Sequence, residues 1–302
     1  VPVKTRDFKW SLSTTISKTK NKLNTRPDAE QHELSDFLNG SALVKGQPVS
    51  TFYSYRFIGL SPVDGGPLFD DYSEQVDLLK NLNKYETFTT VLKPTGKRDP
   101  SMSGSVYNNF IWKRFRANLT LAYSLGAKLR QSRILAQRPA DDENRFIYSE
   151  FNANRALLNR WKAPGDEKNT IIPAIIGTNQ PGYYAYNRHW TQQGGYEGII
   201  FAETANEGII FAETAWDMYD YCDARVVSGN YLKCSNVSVA YVLPEKWLKT
   251  VGISRFEATL SATNLFTVCS KKLKGQTPTQ SVFSQVQLSD RPTISLGFNV
   301  SF

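Results

Sequence analysis

The chain has 302 residues and a formal net charge of +8, and 13% of its residues are Phe, Trp or Tyr. So many aromatic residues favour strands or amphipathic interfaces over helical bundles. The Lys and Arg residues are scattered without a run of five, so we assign the charge to loops and polar faces and predict no nucleic-acid partner. No apolar run reaches the roughly 18 residues of a transmembrane helix, although a closed barrel also satisfies its backbone in a membrane.

Strict alternation of apolar and polar residues is the strongest signal, and it recurs in several long segments. In chain order these are residues 8–17, 104–114, 115–126, 236–244, 255–263 and 293–302. Most runs cover roughly ten to twelve residues, whereas a typical globular strand has about five or six. Strands that cross a bilayer at a tilt need roughly nine to eleven. The alternation therefore predicts a transmembrane antiparallel β-barrel, of which this chain supplies about eight to ten strands.

The final run, TISLGFNVSF, shows the two predicted faces most clearly. One face is apolar and the other is small and polar, as expected for lipid outside and a wet lumen inside. The apolar face consists of Ile294, Leu296, Phe298, Val300 and Phe302. Aromatic residues near the strand ends, such as Phe8, Trp10 and Tyr123, add the pattern of an interfacial girdle.

Long polar stretches rich in Gly and Pro separate the runs, notably residues 24–48, 61–84 and 135–228. Loops of this size are expected on the outer side of an outer-membrane barrel, with short turns on the other side. Two short connections are predicted, a hairpin at Lys113 and Arg114 and a link formed by residues 252–255. The segment EGIIFAETA occurs at 197–205 and again at 207–215, which we interpret as a local tandem duplication in an outer loop.

Several motifs, in order, resemble those of one known family. They are KGQPVSTFYSYRFIGLSPVDGGPLFDD at 45–71, DPSMSGSVYNNFIWKRFRANLTLAYSLGAKLR at 99–130, RWKAPGDEKNTIIPAI at 160–175, VVSGNYLKCSNVSVAYVLP at 226–244, ATNLFTVCSKKLKGQTP at 262–278 and the closing RPTISLGFNVSF. Together they resemble the C-terminal part of the barrel of SusC/RagA-type TonB-dependent outer-membrane transporters.

The resemblance implies a large plugged barrel in the outer membrane of a Gram-negative cell. Such a barrel imports nutrients, usually oligosaccharides and sometimes peptides, with energy passed through TonB. A SusD-like lipoprotein caps its outer face. It also implies that Phe302 is the aromatic terminus by which the assembly machinery recognises the barrel. The family's plug and first barrel strands are missing from residues 1–302, so we expect the chain to pair with that remaining portion.

Candidate site residues fall in the long polar stretches. Aromatic rings can stack on the apolar face of a sugar, and they also suit loop packing or contact with a capping lipoprotein. The candidates for ligand or lid contact are Tyr183, Tyr184, Tyr186, Trp190, Trp216, Tyr219 and Tyr221. The family-like loop motif comprises Arg160, Trp161, Pro164, Gly165 and Asp166, and we expect Trp161 to organise that loop.

The sequence carries no catalytic triad and no phosphate-binding Gly-rich loop, so we predict neither an enzyme nor a cofactor. Cys222, Cys234 and Cys269 lack metal-ligand spacing, and Cys222 and Cys234 are either a disulfide or packed thiols. Two alternatives to an importer stay open. One is a structural or adhesive outer-membrane barrel without transport, and the other is a soluble carbohydrate-binding sandwich, which the strand lengths disfavour.

Overall fold

The structure is a computed structural model that describes residues 2–25, 32–70, 72, 82–134, 154–176, 200–204, 207–210, 215–279 and 290–302. The strands are, in chain order, β1 (Val3–Lys4), β2 (Phe8–Lys18), β3 (Thr51–Ser54), β4 (Phe57–Leu60), β5 (Pro67–Phe69), β6 (Lys93–Lys97), β7 (Met102–Trp112), β8 (Phe115–Leu125), β9 (Lys128–Arg130), β10 (Ile200–Thr204), β11 (Glu207–Ile210), β12 (Val226–Ser228), β13 (Tyr231–Val242), β14 (Arg255–Cys269) and β15 (Thr293–Ser301). The α-helices of these residues are α1 (Leu34–Asn39), α2 (Lys84–Val91), α3 (Ala215–Asp220) and α4 (Glu245–Leu248).

One large antiparallel sheet dominates the fold. Its strands run in the order β1-β2-β7-β8-β13-β14-β15, and each neighbouring pair is antiparallel. The six long strands have between 9 and 15 residues. The alternating runs of the sequence therefore form strands of the length that a bilayer requires, which confirms the predicted all-β barrel wall.

The short connections between these strands lie at one end of the sheet, and the long connections begin and end at the other. Residues 113–114 join β7 to β8, and residues 243–254 join β13 to β14 at the same end. The far longer connections 19–101, 126–230 and 270–292 all begin and end at the opposite end. This is the one-sided arrangement that the sequence predicts. The link between β13 and β14 is longer than residues 252–255, because it contains α4 and the short helix Lys249–Val251.

The two faces of the sheet differ as the alternation predicts. Leu260 lies between Val239 and Leu296 in the ladder, and the next row places Ser261 beside Ser295. Leu260 is 53% exposed and Leu296 is 64% exposed, although both are large and apolar. No described part of the chain covers these residues fully. The apolar face of the wall thus meets the surroundings of the protein rather than its own core.

The ladder is regular except at one height, where β13 and β14 both carry a bulge. Between Cys234 and Asn236, β13 contains one more residue than β8. At the same height β14 contains an extra residue relative to β13, and Asn264 there has a φ of 53°. Asn tolerates this left-handed conformation better than most residues. The bulge shifts the apolar side of β13 from even positions before it, such as Leu232, to odd positions after it, such as Val237 and Val239.

The buried apolar core lies at the long-loop end and not in the sheet. We call the described residues of connections 19–101 and 126–230 that pack there the cap. It contains α1, α2, α3 and the small ladders β3–β6, β4–β5 and β9–β12. Its centre holds Phe37 and Met218 at 0% exposure and Leu92 at 1%. The stretches that the sequence reading treated as polar loops thus include a folded, well-packed unit.

Helix α1 illustrates how local sequence builds the cap. Glu33 and Asp36 form a capping box, in which each side chain accepts from the backbone of the other residue. The helix ends at Gly40, whose φ of 77° suits glycine at a C-terminal cap. Between these signals the helix buries Phe37 and Leu38 in the core. A six-residue helix is marginal alone, so tertiary packing stabilises it.

The duplicated segment forms a hairpin with itself. Strand β10 belongs to the first copy of EGIIFAETA and β11 to the second, and they pair antiparallel. Ile200 lies opposite Ile210, which is the equivalent residue of the other copy.

Candidate functional site

The predicted ligand, lid and loop residues lie in the cap or outside the described residues, whereas Phe302 directly follows β15 and is 91% exposed. Tyr183, Tyr184, Tyr186 and Trp190 lie outside them, so their contact with a ligand or lid stays a prediction. The loop that begins at Arg160 and the aromatic residues of α3 are described, and both pack into the cap core.

Trp161 is the central residue of the family-like loop. It is 8% exposed, and its backbone N–H donates to the carbonyl of Ile172 at 2.9 Å. Its indole N–H donates to the Glu167 carboxylate at 3.3 Å. A Cβ atom added to Gly65 would lie 2.4 Å from the indole ring, so the ring rests directly on that glycine. Trp161 therefore ties its own loop together and joins it to the loop that contains Gly65.

Asp166 closes the turn that follows Trp161. Its Oδ2 atom accepts from the backbone N–H groups of Lys162 at 3.0 Å and Ala163 at 3.1 Å. This is the capping geometry by which a carboxylate orders a tight turn. Pro164 and Gly165 form the exposed tip of the turn, and Gly165 has a φ of 105°.

The start of this loop is also hydrogen-bonded. The Arg160 guanidinium donates to the carbonyl of Leu157 at 3.1 Å, which closes the short helix Arg155–Asn159. The N–H of Gly165 donates to Glu167 at 2.7 Å. The backbone N–H of Glu167 and that of Gly165 hold the pKa of the Glu167 carboxyl below its ordinary value. The motif is thus an internally bonded loop.

Helix α3 places its two predicted aromatic residues inside the cap. Trp216 is 8% exposed and donates its indole N–H to the carbonyl of Ala174 at 3.1 Å. Tyr219 is 1% exposed and packs edge-on against Trp216 at 5.5 Å and Phe57 at 5.8 Å between ring centres. Burial raises the pKa of Tyr219. Loop packing, one of the roles considered for these residues, accounts for both.

Tyr221 is half-buried and contacts two arginines. The guanidinium of Arg133 donates to its hydroxyl at 3.0 Å. The guanidinium carbons of Arg130 and Arg133 lie 4.9 and 5.2 Å from the ring centre. Such contacts are favourable because the face of an aromatic ring is negative. The Tyr221 ring therefore lies against two cations in this structure.

Sequence reasoning missed Arg130, which is 3% exposed. Its guanidinium donates to the carbonyl of Leu38 at 2.6 Å, and to the carbonyl of Tyr53 at 2.7 Å and the hydroxyl of Ser54 at 2.8 Å. Burial lowers its pKa to about 10, so the group stays charged at neutral pH. Arg130 thereby links β9 to α1 and to β3. Its planar set of five donors suits this task better than a Lys ammonium.

A second buried arginine lies nearby. Arg225 is 4% exposed, its guanidinium lies 3.6 Å from the carboxylate of Asp220, and it donates to the carbonyl of Ser132. Burial raises the pKa of Asp220 to about 6, while the positive charges of Arg225 and Arg133 oppose the rise. One feature of the sequence could have indicated this buried ion pair. Charged residues interrupt an otherwise aromatic stretch, WDMYDYCDAR at 216–225.

The chemistry of these residues is that of a rigid scaffold. Among the described residues, no group of three His, Cys, Asp or Glu side chains is placed to hold a metal ion. Cys222 and Cys234 are both buried and are free thiols, so the disulfide alternative is wrong. Burial raises the pKa of Cys222 to about 12, which keeps it protonated and unreactive.

The fold and the cap together define a class of protein. A sheet of long antiparallel strands has an exposed apolar face, and its long connections fold into a packed cap at one end. This is part of a β-barrel wall of the transmembrane type. Separately, the helices that the structure describes are all too short or too polar to cross a bilayer.

Comparisons with known proteins support this class. No protein-family model matches the chain. TonB-dependent receptor P3 of Formosa agariphila is 20% identical over 274 residues, which cover 87% of this chain and 22% of that receptor. The structure of the RagAB peptide transporter matches with a TM-score of 0.64 and 17% identity, over 99% of this chain and 28% of that chain. Its 'closed-closed' state matches with a TM-score of 0.63, 16% identity and the same coverages.

The chain is thus similar to part of a SusC/RagA-type TonB-dependent transporter, as its motifs indicate. It spans about a quarter of the length of these relatives. Its fold is that of a partial TonB-dependent transporter barrel. The relatives are named as a receptor and as a transporter, not as enzymes.

Proposed function

We propose that this chain forms part of the wall and outer cap of a TonB-dependent importer in the outer membrane of a Gram-negative bacterium. One observation carries the proposal: the exposed apolar face of the wall coexists with a cap whose core is fully packed. A protein that meets water on all sides would cover Leu260 and Leu296, whereas a bilayer accommodates them. The packed cap then lies at the barrel mouth, where a ligand enters.

We propose that the importer takes up an oligosaccharide or a peptide and works with a SusD-like lipoprotein. The motif resemblance supports this partner, and the similarity to the RagAB peptide transporter supports a peptide as one of the two substrate classes. In this proposal the chain contributes no chemical step to transport. Its cap shapes the entrance, while TonB acts on a plug that the rest of the transporter supplies.

The test is an uptake assay on the full-length protein in its outer membrane. We expect the protein to require detergent for extraction, to co-purify with a surface lipoprotein and to import a labelled peptide or glycan only when TonB is present. Extraction into aqueous buffer without detergent would refute the membrane barrel. Membrane localisation with uptake that is independent of TonB would instead favour the structural or adhesive barrel.

A further inference from the structure

The short-turn end of the sheet contains a cavity that the proposed transport role does not use. Its volume is about 460 Å³, and it lies where the β7–β8 hairpin meets the connection between β13 and β14. We call it the turn cavity. Its lining consists of Lys113, Arg114, Arg116, Val242, Leu243, Glu245, Ser254 and Arg255. Four of these residues are cationic and one is acidic.

Two of the three arginines of the turn cavity share a single carboxylate. Arg116 approaches the Oε2 atom of Glu257 at 3.7 Å, and Arg255 approaches the same atom at 2.5 Å. Their side chains are 44% and 47% exposed. Each guanidinium has five N–H donors, so the two groups together carry more donors than the Glu257 carboxylate can accept from. Among the described residues, the turn cavity is therefore rich in donors and positive charge.

The register shows which face of the sheet this charge occupies. Arg116 lies opposite Ala240, and Glu257 lies opposite Val242 and Asn299. The adjacent row, in which Phe115 and Tyr241 are partners, belongs to the apolar face. Because successive residues alternate between faces, Arg116 and Glu257 lie on the polar face.

We propose that the turn cavity binds an acidic peptide segment whose carboxylates pair with its Arg and Lys side chains. Guanidinium groups pair with carboxylates in a bidentate geometry, as they also do with phosphates. A lipid headgroup fits less well, because its acyl chains would have to lie on the apolar face while the headgroup reached the polar one. A volume of about 460 Å³ leaves room for a few residues of a peptide. This inference is independent of substrate uptake at the cap.

The test uses the full-length transporter in detergent and two labelled peptides, hexaglutamate and hexaglutamine. Fluorescence anisotropy should show binding of hexaglutamate that weakens as salt rises, because exposed charges are screened. The double variant Lys113→Gln/Arg114→Gln should weaken this binding about tenfold. Lys246→Gln/Lys249→Gln removes the same charge from the same end outside the lining and should change it less than about twofold.

A photoreactive hexaglutamate then locates the bound peptide on the wild-type protein, without relying on a variant that folds. We expect crosslinks to residues 113–116 and 242–255. Equal binding of the two peptides, crosslinks elsewhere, or a double variant that binds like wild type would each overturn the proposal. Binding of phosphatidylglycerol vesicles at these residues that hexaglutamate does not displace would also overturn it in favour of a headgroup site.

Discussion

The sheet and the cap treat apolar side chains in opposite ways. In the cap, Phe37 and Met218 are fully buried against other side chains of the same chain. In the sheet, Ile16 is 65% exposed and Leu296 is 64% exposed. The cap therefore has the packing of a water-soluble domain, whereas the sheet completes its apolar contacts with something outside the chain. The same chain is adapted to two different surroundings.

The sources of stability differ accordingly. The cap depends on side-chain contacts between segments far apart in sequence, such as the edge-on packing of Phe37 against Tyr85 at 5.9 Å. The sheet depends on ladders of backbone hydrogen bonds between long strands. Substitutions that destabilise the cap but not the sheet, or the sheet but not the cap, can test this contrast.

Replacing Arg130 should have the largest effect and should be confined to the cap. Arg130→Ala leaves buried oxygens of Leu38 and Tyr53 without their donor and removes a charge–ring contact. We expect the cap to lose about 3–5 kcal/mol of stability. Limited proteolysis of the full-length protein should then cut the cap while the barrel stays resistant to denaturation in detergent.

The matched control for Arg130→Ala is Arg56→Ala, whose side chain is 63% exposed and lies 3.7 Å from Asp70. It should cost less than about 1 kcal/mol, since exposed ion pairs contribute little. If the two variants were cut at the same rate, buried arginine would not be what holds the cap together.

The next largest effect is expected on the apolar face of the sheet. Leu260→Arg places a charge where we expect hydrocarbon and should destabilise the folded barrel by about 2–4 kcal/mol near mid-membrane. Ser261→Arg, one residue along on the polar face, should cost much less. Denaturant titration of the protein folded into lipid vesicles measures both. Equal costs would mean that the exposed face does not meet lipid.

Two glycines allow the cost of a steric clash to be measured apart from the cost of backbone strain. Gly65 and Gly252 have nearly the same φ, 68° and 69°, but only Gly65 rests on a ring, that of Trp161. Gly65→Ala should cost about 2–3 kcal/mol because it adds a clash to the strain, whereas Gly252→Ala should cost about 1 kcal/mol from strain alone. Thermal unfolding of the cap, followed by Trp fluorescence, measures the cost of Gly65→Ala, and denaturant titration of the barrel in lipid vesicles measures that of Gly252→Ala, which lies in the β13–β14 connection. Similar costs would show that the ring is not tightly held.

The smallest effect is a pH dependence that belongs to the cap alone. Burial raises the pKa of Asp220 from 3.8 to about 6, so the folded cap binds its proton more tightly than the unfolded chain does. This contribution to stability is present at low pH and is lost as pH rises through about 6. Between pH 4 and pH 7 the wild-type cap should lose about 2 kcal/mol relative to Asp220→Asn. Parallel pH profiles for the two proteins would contradict the assignment.

The wall was predictable from sequence and the cap was not, for a physical reason. In a strand with one apolar face, the apolar residues recur at every second position. The run TISLGFNVSF therefore predicts a strand from its own residues alone. The cap core combines Phe37, Phe88 and Met218 from segments that show no shared period. Their burial depends on long-range contacts, which no local pattern encodes. The polar composition of residues 24–48 therefore predicted a loop, although this range contains α1, which packs into the cap.

The candidate site shows the same limit. The family-like motif at 160–166 drew attention to Trp161, which the structure places in the core of the cap. Aromatic composition alone did not separate Trp216 and Tyr219, which are core residues, from rings that face outward. Arg130 and Arg225 were missed, because buried arginines are rare and only the fold shows the carbonyl groups that surround them.

The paired bulges at Ser235 and Asn264 have a consequence for how the wall is assembled. Long strands with a repetitive apolar face can slide past one another, and a slip of two residues leaves every side chain on its proper face. An extra residue in each of two adjacent strands at one height removes that freedom, because a slipped strand would set its bulge against regular ladder. The bulges therefore favour a single register of β8, β13 and β14 over the slipped alternatives.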